Sequence, residues 1–385
     1  MKALLYERKE ARFVAANALS RLKPGAGASV GPLTLTDVAE PSLPGDGWQR
    51  IEPILSGICG SDLSTIDGHT SRYFEDLVSF PFVPGHEVVA RTEDGRRVLL
   101  EPVLGPVARG VGEAGGVGQA DGHDYGHLTT GRLEPGLQIG SCASTGGGWA
   151  EALVAHESQL HELPDDLDDA GALIVEPVAA GIHGALKANA PAGGTVAVLG
   201  AGMMGLAAIA GLRHHTGVEH IVVGAKYPHQ RRLAAMAGAD VVVGPDEVGR
   251  AVRRMQGSGV IGTRLAAGAD AVIDAVGNSS SVTEAIGIAR PRGRVVMLGM
   301  PGPVTTDLAA LWHRETELVG SYCYGGEHTH DGRHTFSIAI DLVRELDLGR
   351  LVSATYALDD YKDAIDHASM AGARGAVRIA FAPNS

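Results

Sequence analysis

The chain has 385 residues, of which 44% are hydrophobic and only 4% aromatic, with 54 glycines and a formal net charge of −13. That length exceeds one ordinary core and predicts two domains. The acidic balance excludes the basic footprint that nucleic acid or an anionic membrane surface would require, so the expected partners are small molecules and further copies of the chain.

The first stretch, "MKALLYERKEARF", carries charges where a secretory leader needs an apolar region, and no uncharged apolar run is long enough to span a bilayer. Cys59, Cys142 and Cys323 stand far apart, which predicts no disulfide framework and a cytoplasmic location. Short strands divided by Gly/Pro turns follow: "KALLYE", "QRIEPILS", "HEVVARTEDGRRVLLEP" and "WAEALVAHESQLHELP". Their spacing predicts an antiparallel, barrel-like β domain. "PVLGPVARGVGEAGGVGQADGHDYGH" has no helix or strand period and reads as an exposed lobe.

The grammar then changes to strands alternating with helices, from "GTVAVLGAGMMGLAAIAGLRHH" through "HIVVGA", "YPHQRRLAAMAG", "DVVVG", "DAVIDAVG" and "GRVVMLGM". This alternation predicts a doubly wound parallel sheet, and so an α/β chain. The tail, with helices in "FSIAIDLVREL" and "ALDDYKDAIDHASM" and a strand in "GAVRIAFAP", is expected to fold back onto the first domain.

Gly200, Gly202 and Gly205 in "LGAGMMG" match the dinucleotide fingerprint, directly after a strand and opening a helix. The glycines let backbone approach a pyrophosphate resting on the helix N-terminus. At the end of the second strand an NAD site wants an acid for the ribose hydroxyls; Gly224 stands there, followed by Lys226, Tyr227, His229, Arg231 and Arg232. These cations beside the place of a 2′-phosphate predict NADP(H) over NAD(H), against the alternative of a solvated basic helix face.

"SGICGSD" places Cys59 at a strand end before a polar turn, and "FPFVPGHEVVA" places His86 and Glu87 at another strand start. Cys59 is either a packed core thiol or a ligand. Glu176 lies in the apolar "LIVEPVAAGIHGA", where a buried carboxylate must be paired or bound to metal. Cys59, His86 and Glu176 together supply S, N and O donors and leave the open fourth position of a catalytic zinc.

In order and separation, "GICGSD", "VPGHEV", "EPVAAGIH" and "GAGMMG" resemble the zinc-dependent medium-chain dehydrogenase/reductase superfamily, particularly its sorbitol- and threonine-dehydrogenase-like branches. The resemblance implies a GroES-like catalytic domain over 1–186, a Rossmann domain over 187–325 and a return to the first domain over 326–385. It implies one catalytic zinc held by Cys59 and His86, with Glu176 bound directly or through water and Glu87 as a near-metal carboxylate able to exchange onto it. Asp62 would orient the ligand histidine, and Ser61 would pass a proton to or from the substrate oxygen. Met203 and Met204 fall within the phosphate turn, while Val276, Leu298, Gly299, Met300 and Tyr322 fall beside the nucleotide. The implied reaction is hydride transfer between NADP(H) and an alcohol/carbonyl pair, in a homodimer or homotetramer.

Two departures stand out. Many zinc-containing members carry a structural zinc in a lobe with four closely spaced cysteines, whereas Glu101 to Gly136 contains none; His123, Asp124 and His127 are read as a solvated loop. The histidine that extends the proton relay in some relatives is replaced by Ser64, with His69 nearby. Cys142 and Cys323 are expected to be structural, and His183 a satisfied core histidine. The rival readings are a zinc-free quinone or enoyl reductase of the same superfamily and a non-catalytic nucleotide-binding relative.

Overall fold

Trp48–Gly57 is the longest strand of the first half, and its buried positions, Trp48, Ile51, Pro53, Ser56 and Gly57, show why. Ile51 and Pro53 point inward on either side of exposed Glu52, the alternation a half-buried strand needs. Pro53 has no N–H to give, and the pairing with Val88–Thr92 shifts register between Pro53 and Leu55. The computed structural model describes residues 1–112, 125–262, 264–327, 330 and 332–385. These gather into two units, residues 1–176 with 336–385, and residues 177–335.

The first unit is built on a sheet in which Val352–Tyr356, Arg378–Phe381, Trp48–Gly57, Val88–Thr92, Arg97–Leu100 and Leu160–Glu162 lie side by side, with Leu153–His156 also paired to Trp48–Gly57. Only the pair Val352–Tyr356 and Arg378–Phe381 is parallel. The tail strand is therefore part of the first domain's sheet. Phe381 is fully buried and meets the Trp149 ring edge-on at 5.1 Å. A helix not foreseen in the sequence, Glu10–Ser20, stands between the first strand, Lys2–Tyr6, and its antiparallel partner Leu33–Asp37.

The described part of the lobe is mixed: Val111 and Tyr125 are exposed, as its composition predicts, but its first residues are buried. Among its described residues Leu104, Ala108 and Leu133 join the barrel core with Ile51 and Val98, and Arg109 is completely buried. Turn hydrogen bonds carry it in place of a regular period. His123 and Asp124 lie outside the described residues.

In the second unit six strands form one all-parallel sheet: Thr195–Leu199, His220–Gly224, Val241–Val243, Ala269–Asp274, Ala289–Met297 and Glu317–Gly320. Counted along the chain they lie in the order 3-2-1-4-5-6. Thr195–Leu199 is buried at every position, as a central strand covered on both faces demands. The order reverses between Thr195–Leu199 and Ala269–Asp274, and open α/β sheets take their ligands outside the carboxyl ends of strands at such a reversal.

Candidate functional site

In the first unit, Trp48–Gly57 ends directly before Ile58 and Cys59, and Cys59 caps the short helix Gly60–Ile66. Its N–H donates to Asp62 Oδ2 at 2.9 Å, which fixes the turn that presents the thiol. His86 and Glu87 precede the strand Val88–Thr92, so strand pairing brings them against Gly57: Gly57 N–H donates to Glu87 O at 2.9 Å. A Cβ at Gly57 would come within 2.0 Å of Glu87 Oε2, so only glycine leaves room for this carboxylate.

Cys59, His86 and Glu87 each offer one ligand atom within 4.8 Å of the others. Glu176 is buried and contributes to the field at the site, but stands outside this tightest group. Asp62 Oδ1 lies 3.5 Å from His86 Nδ1, close for charge attraction and long for a hydrogen bond. Burial disfavours the charged imidazole, yet Asp62 and Cys59 outweigh that cost and hold the His86 pKa well above its usual value. Such a ring favours a positive neighbour or its own proton, the setting in which a cation competes with a proton for the same donors.

Arg378 is the residue that sequence reasoning missed. It enters from the tail strand, 4% exposed, with Nη1 2.9 Å from Ile58 O and 3.0 Å from Glu87 Oε1. Burial would lower its pKa, but Glu87, Cys59 and Glu176 more than compensate and raise it. Neither Glu87 carboxylate oxygen accepts a well-aligned hydrogen bond, so lone pairs remain for a cation. Soft sulfur, imidazole nitrogen and carboxylate oxygen are the donor types of zinc, and the residues fit that ion. The only sequence signal for Arg378 was a charge inside the apolar "GAVRIAFAP".

Ser61 lies in the first turn of Gly60–Ile66, half-buried, its carbonyl accepting from Thr65 Oγ1 at 2.9 Å. Ser64 is half-buried on the same helix. His69 sits within reach of Ser20 Oγ at 3.0 Å and Asn17 Nδ2 at 3.4 Å, both from Glu10–Ser20. His183 pairs with Glu327 at 2.7 Å.

In the second unit the nucleotide candidates gather at the carboxyl ends of the parallel strands. Gly200, at φ +92°, follows Thr195–Leu199, and its N–H donates to Gly224 O at 3.1 Å. Gly202 caps the helix Met203–His215, which Met203 and Met204 begin. A Cβ at Gly205 would strike Gly200 O at 2.0 Å, so this glycine lets the helix start against the turn. Val276, Leu298 to Met300 and Tyr322 follow the three later strands. Buried Asp274, also missed, organises two of these ends: its carboxylate accepts from Val276 N at 2.9 Å and Gly277 N at 3.1 Å, and its carbonyl from Leu298 N and Gly299 N at 2.9 Å.

Past the second strand, Arg231 Nε donates to Ala225 O at 3.0 Å, anchoring the guanidinium at the loop. Lys226 is exposed, its ammonium 5.4 Å from the Tyr227 ring centroid. A Cβ at Gly224 would lie 2.7 Å from Val248 Cγ2, so an acidic side chain is resisted there by packing.

Residues 45–165 match the family model described as alcohol dehydrogenase GroES-like domain, and residues 203–345 that described as zinc-binding dehydrogenase. Among curated proteins the chain is 28% identical over 324 residues to L-threonine 3-dehydrogenase of Anaeromyxobacter dehalogenans (strain 2CP-C), covering 81% of this chain and 85% of that one. It is 25% identical over 334 residues to sorbitol dehydrogenase of Bacillus subtilis (strain 168), covering 83% and 85%. Its fold is that of 2R,3R-butanediol dehydrogenase from Bacillus subtilis, with a TM-score of 0.71 at 21% identity over 100% of this chain and 99% of that one.

Replacing Arg378 by Met strands a buried carboxylate, and a loss of about 3–5 kcal/mol is expected. Urea denaturation checks it. The double variant Arg378→Met with Glu87→Gln is expected to recover most of that loss, because no uncompensated charge remains.

Proposed function

We propose that this chain, which belongs to the zinc-dependent dehydrogenases of the medium-chain dehydrogenase/reductase superfamily, performs its alcohol/carbonyl oxidoreduction at the cluster of Cys59, His86 and Glu87. The observation that carries the reading is the convergence of those three donor atoms within 4.8 Å, beside Ser61. Cys59 and His86 are the constant ligands, with Glu87 and Glu176 as the carboxylates that complete or exchange in the set. Zinc bound there would supply Lewis acidity toward a substrate oxygen at neutral pH, and a nicotinamide would supply or accept the hydride.

The chain's own residues do the rest. Asp62 fixes the Cys59 turn through the Cys59 N–H and sets the orientation and charge of the His86 ring. Arg378 holds Glu87 Oε1 at 3.0 Å and so fixes the carboxylate in place beside the ligands. Ser61 passes a proton between the substrate oxygen and its surroundings, since an alkoxide must gain or lose a proton once per turnover. Asp274 shapes the strand ends that receive the nicotinamide half of the cofactor, and Gly200, Gly202 and Gly205 admit the pyrophosphate to the helix N-terminus. We assign substrates carrying a hydroxyl next to a second polar group, as in polyols and amino alcohols, by likeness to the threonine and sorbitol dehydrogenases.

NADP(H) is the preferred nucleotide in this reading, supported by Arg231 anchored at Ala225 O, exposed Lys226, and the absence of an acid at Gly224. A homo-oligomer is supported by the edge strand Glu317–Gly320 with half-exposed Leu318, and by Trp312, 80% exposed on the preceding helix Ala309–His313. A cytoplasmic location is supported by three cysteines outside any disulfide, and cell fractionation checks it. No helix among the described residues is long and apolar enough to cross a membrane.

Elemental mass spectrometry should find about one zinc per chain, lost in Cys59→Ser together with turnover of a polyol and amino-alcohol panel. Folded wild type free of zinc but reducing enones would instead support the zinc-free reductase. Arg231→Ala with Lys226→Ala should raise KM for NADP(H) about tenfold or more while moving NAD(H) little, since bonds to a charged phosphate are the strong ones; equal effects on both would remove the preference. Light scattering should give a multiple of the chain mass, and a monomer would reject the edge-strand assembly.

A further inference from the structure

The four-cysteine metal lobe of the superfamily has no thiol donors here. Glu101 to Gly136 holds no cysteine, and Cys142 beyond it stands alone. A four-thiolate zinc does not fit these residues. The described parts of the lobe are nonetheless packed into the barrel core, so something else must draw its turns together.

At their centre lies Arg109, with 0% exposure. Its Nε donates to Leu104 O at 3.1 Å, Nη1 to Thr130 O at 3.3 Å and Glu134 O at 3.4 Å, and Nη2 to Gly136 O at 2.6 Å. Among the described residues every partner of the guanidinium is a backbone carbonyl, and these carbonyls come from both sides of residues 113–124. The arginine backbone takes part as well: Arg109 O accepts from Arg132 N at 3.2 Å. Gly131, at φ +84°, passes so close that a Cβ would lie 2.3 Å from that oxygen.

A buried guanidinium without a carboxylate is expensive unless its N–H groups are satisfied. The segments carrying those carbonyls are therefore bound to it as tightly as it is to them. The planar fork reaches several acceptors in fixed directions, which a lysine ammonium does not. Burial presses the Arg109 pKa down, with the nearby Cys142 acting against it. The cation stays charged because an arginine starts so high.

We propose that Arg109 is the organising cation of this lobe, doing with one side chain and backbone carbonyls what a thiolate-bound metal does in four-cysteine relatives. Order in the lobe is then independent of zinc supply and of thiol oxidation.

The test is hydrogen exchange read by mass spectrometry on the full-length, zinc-loaded protein. Arg109→Met should speed exchange in 101–112 and 125–142 by about tenfold or more, leave 195–224 unchanged, and leave the zinc content unchanged. Arg109→Ala should show the same opening, reversed by methylguanidinium, a rescue that a general packing defect would not give. Unchanged exchange in Arg109→Met overturns the proposal, and so does a second tightly held zinc in the wild type. If neither truncation folds, Arg109→Lys decides: it keeps the charge but loses the fork, and wild-type exchange in it rejects the role.

Discussion

The buried ion pair between Glu87 and Arg378 is the constraint around which the first unit is arranged. A carboxylate 1% exposed and a guanidinium 4% exposed are tolerable only with each other and with fixed dipoles, because each alone would be an unsolvated charge. Their meeting requires the last strand of the chain to lie beside Trp48–Gly57, with Arg378 reaching Ile58 O across 320 residues of sequence. The return of the tail thus has a chemical as well as a packing reason. It holds a carboxylate in place next to Cys59 and His86.

Close approach is bought with glycine at two places. Gly57 makes room for Glu87 in the first unit, and Gly205 lets a helix begin against the Gly200 carbonyl in the second. Gly57 lies at the carboxyl end of a strand, and Gly205 in the first turn of the helix that follows one. Strand ends of this kind are where a rigid scaffold leaves backbone free to serve a ligand. Asp274 shows the same economy: one buried carboxylate and its own carbonyl fix the loops after two neighbouring strands.

The lobe shows how turns can be held together without a regular period. Glycine-rich sequence without period does not preclude a packed structure when a side chain with many donors gathers the backbone carbonyls that turns leave unpaired. Arg109 supplies those donors, and Leu104, Ala108 and Leu133 then close onto the barrel core.

By itself the sequence determined what depends on local pattern and short spacing: the alternating strands of the first half, the strand-turn-helix alternation of the second, the glycine turn at Gly200 to Gly205, and the presence of Cys59, His86 and Glu87 at strand boundaries. Those features follow from side-chain period and backbone sterics, which act within a few residues. Only the tertiary structure decided that Glu87 converges with Cys59 and His86, that Arg378 faces Glu87, and that Arg109 gathers the lobe. Nothing near Arg378 or Arg109 in the chain reveals their partners. A long side chain's contacts are set by strand pairing and packing between segments remote in sequence, and burial of charge is a property of the whole fold.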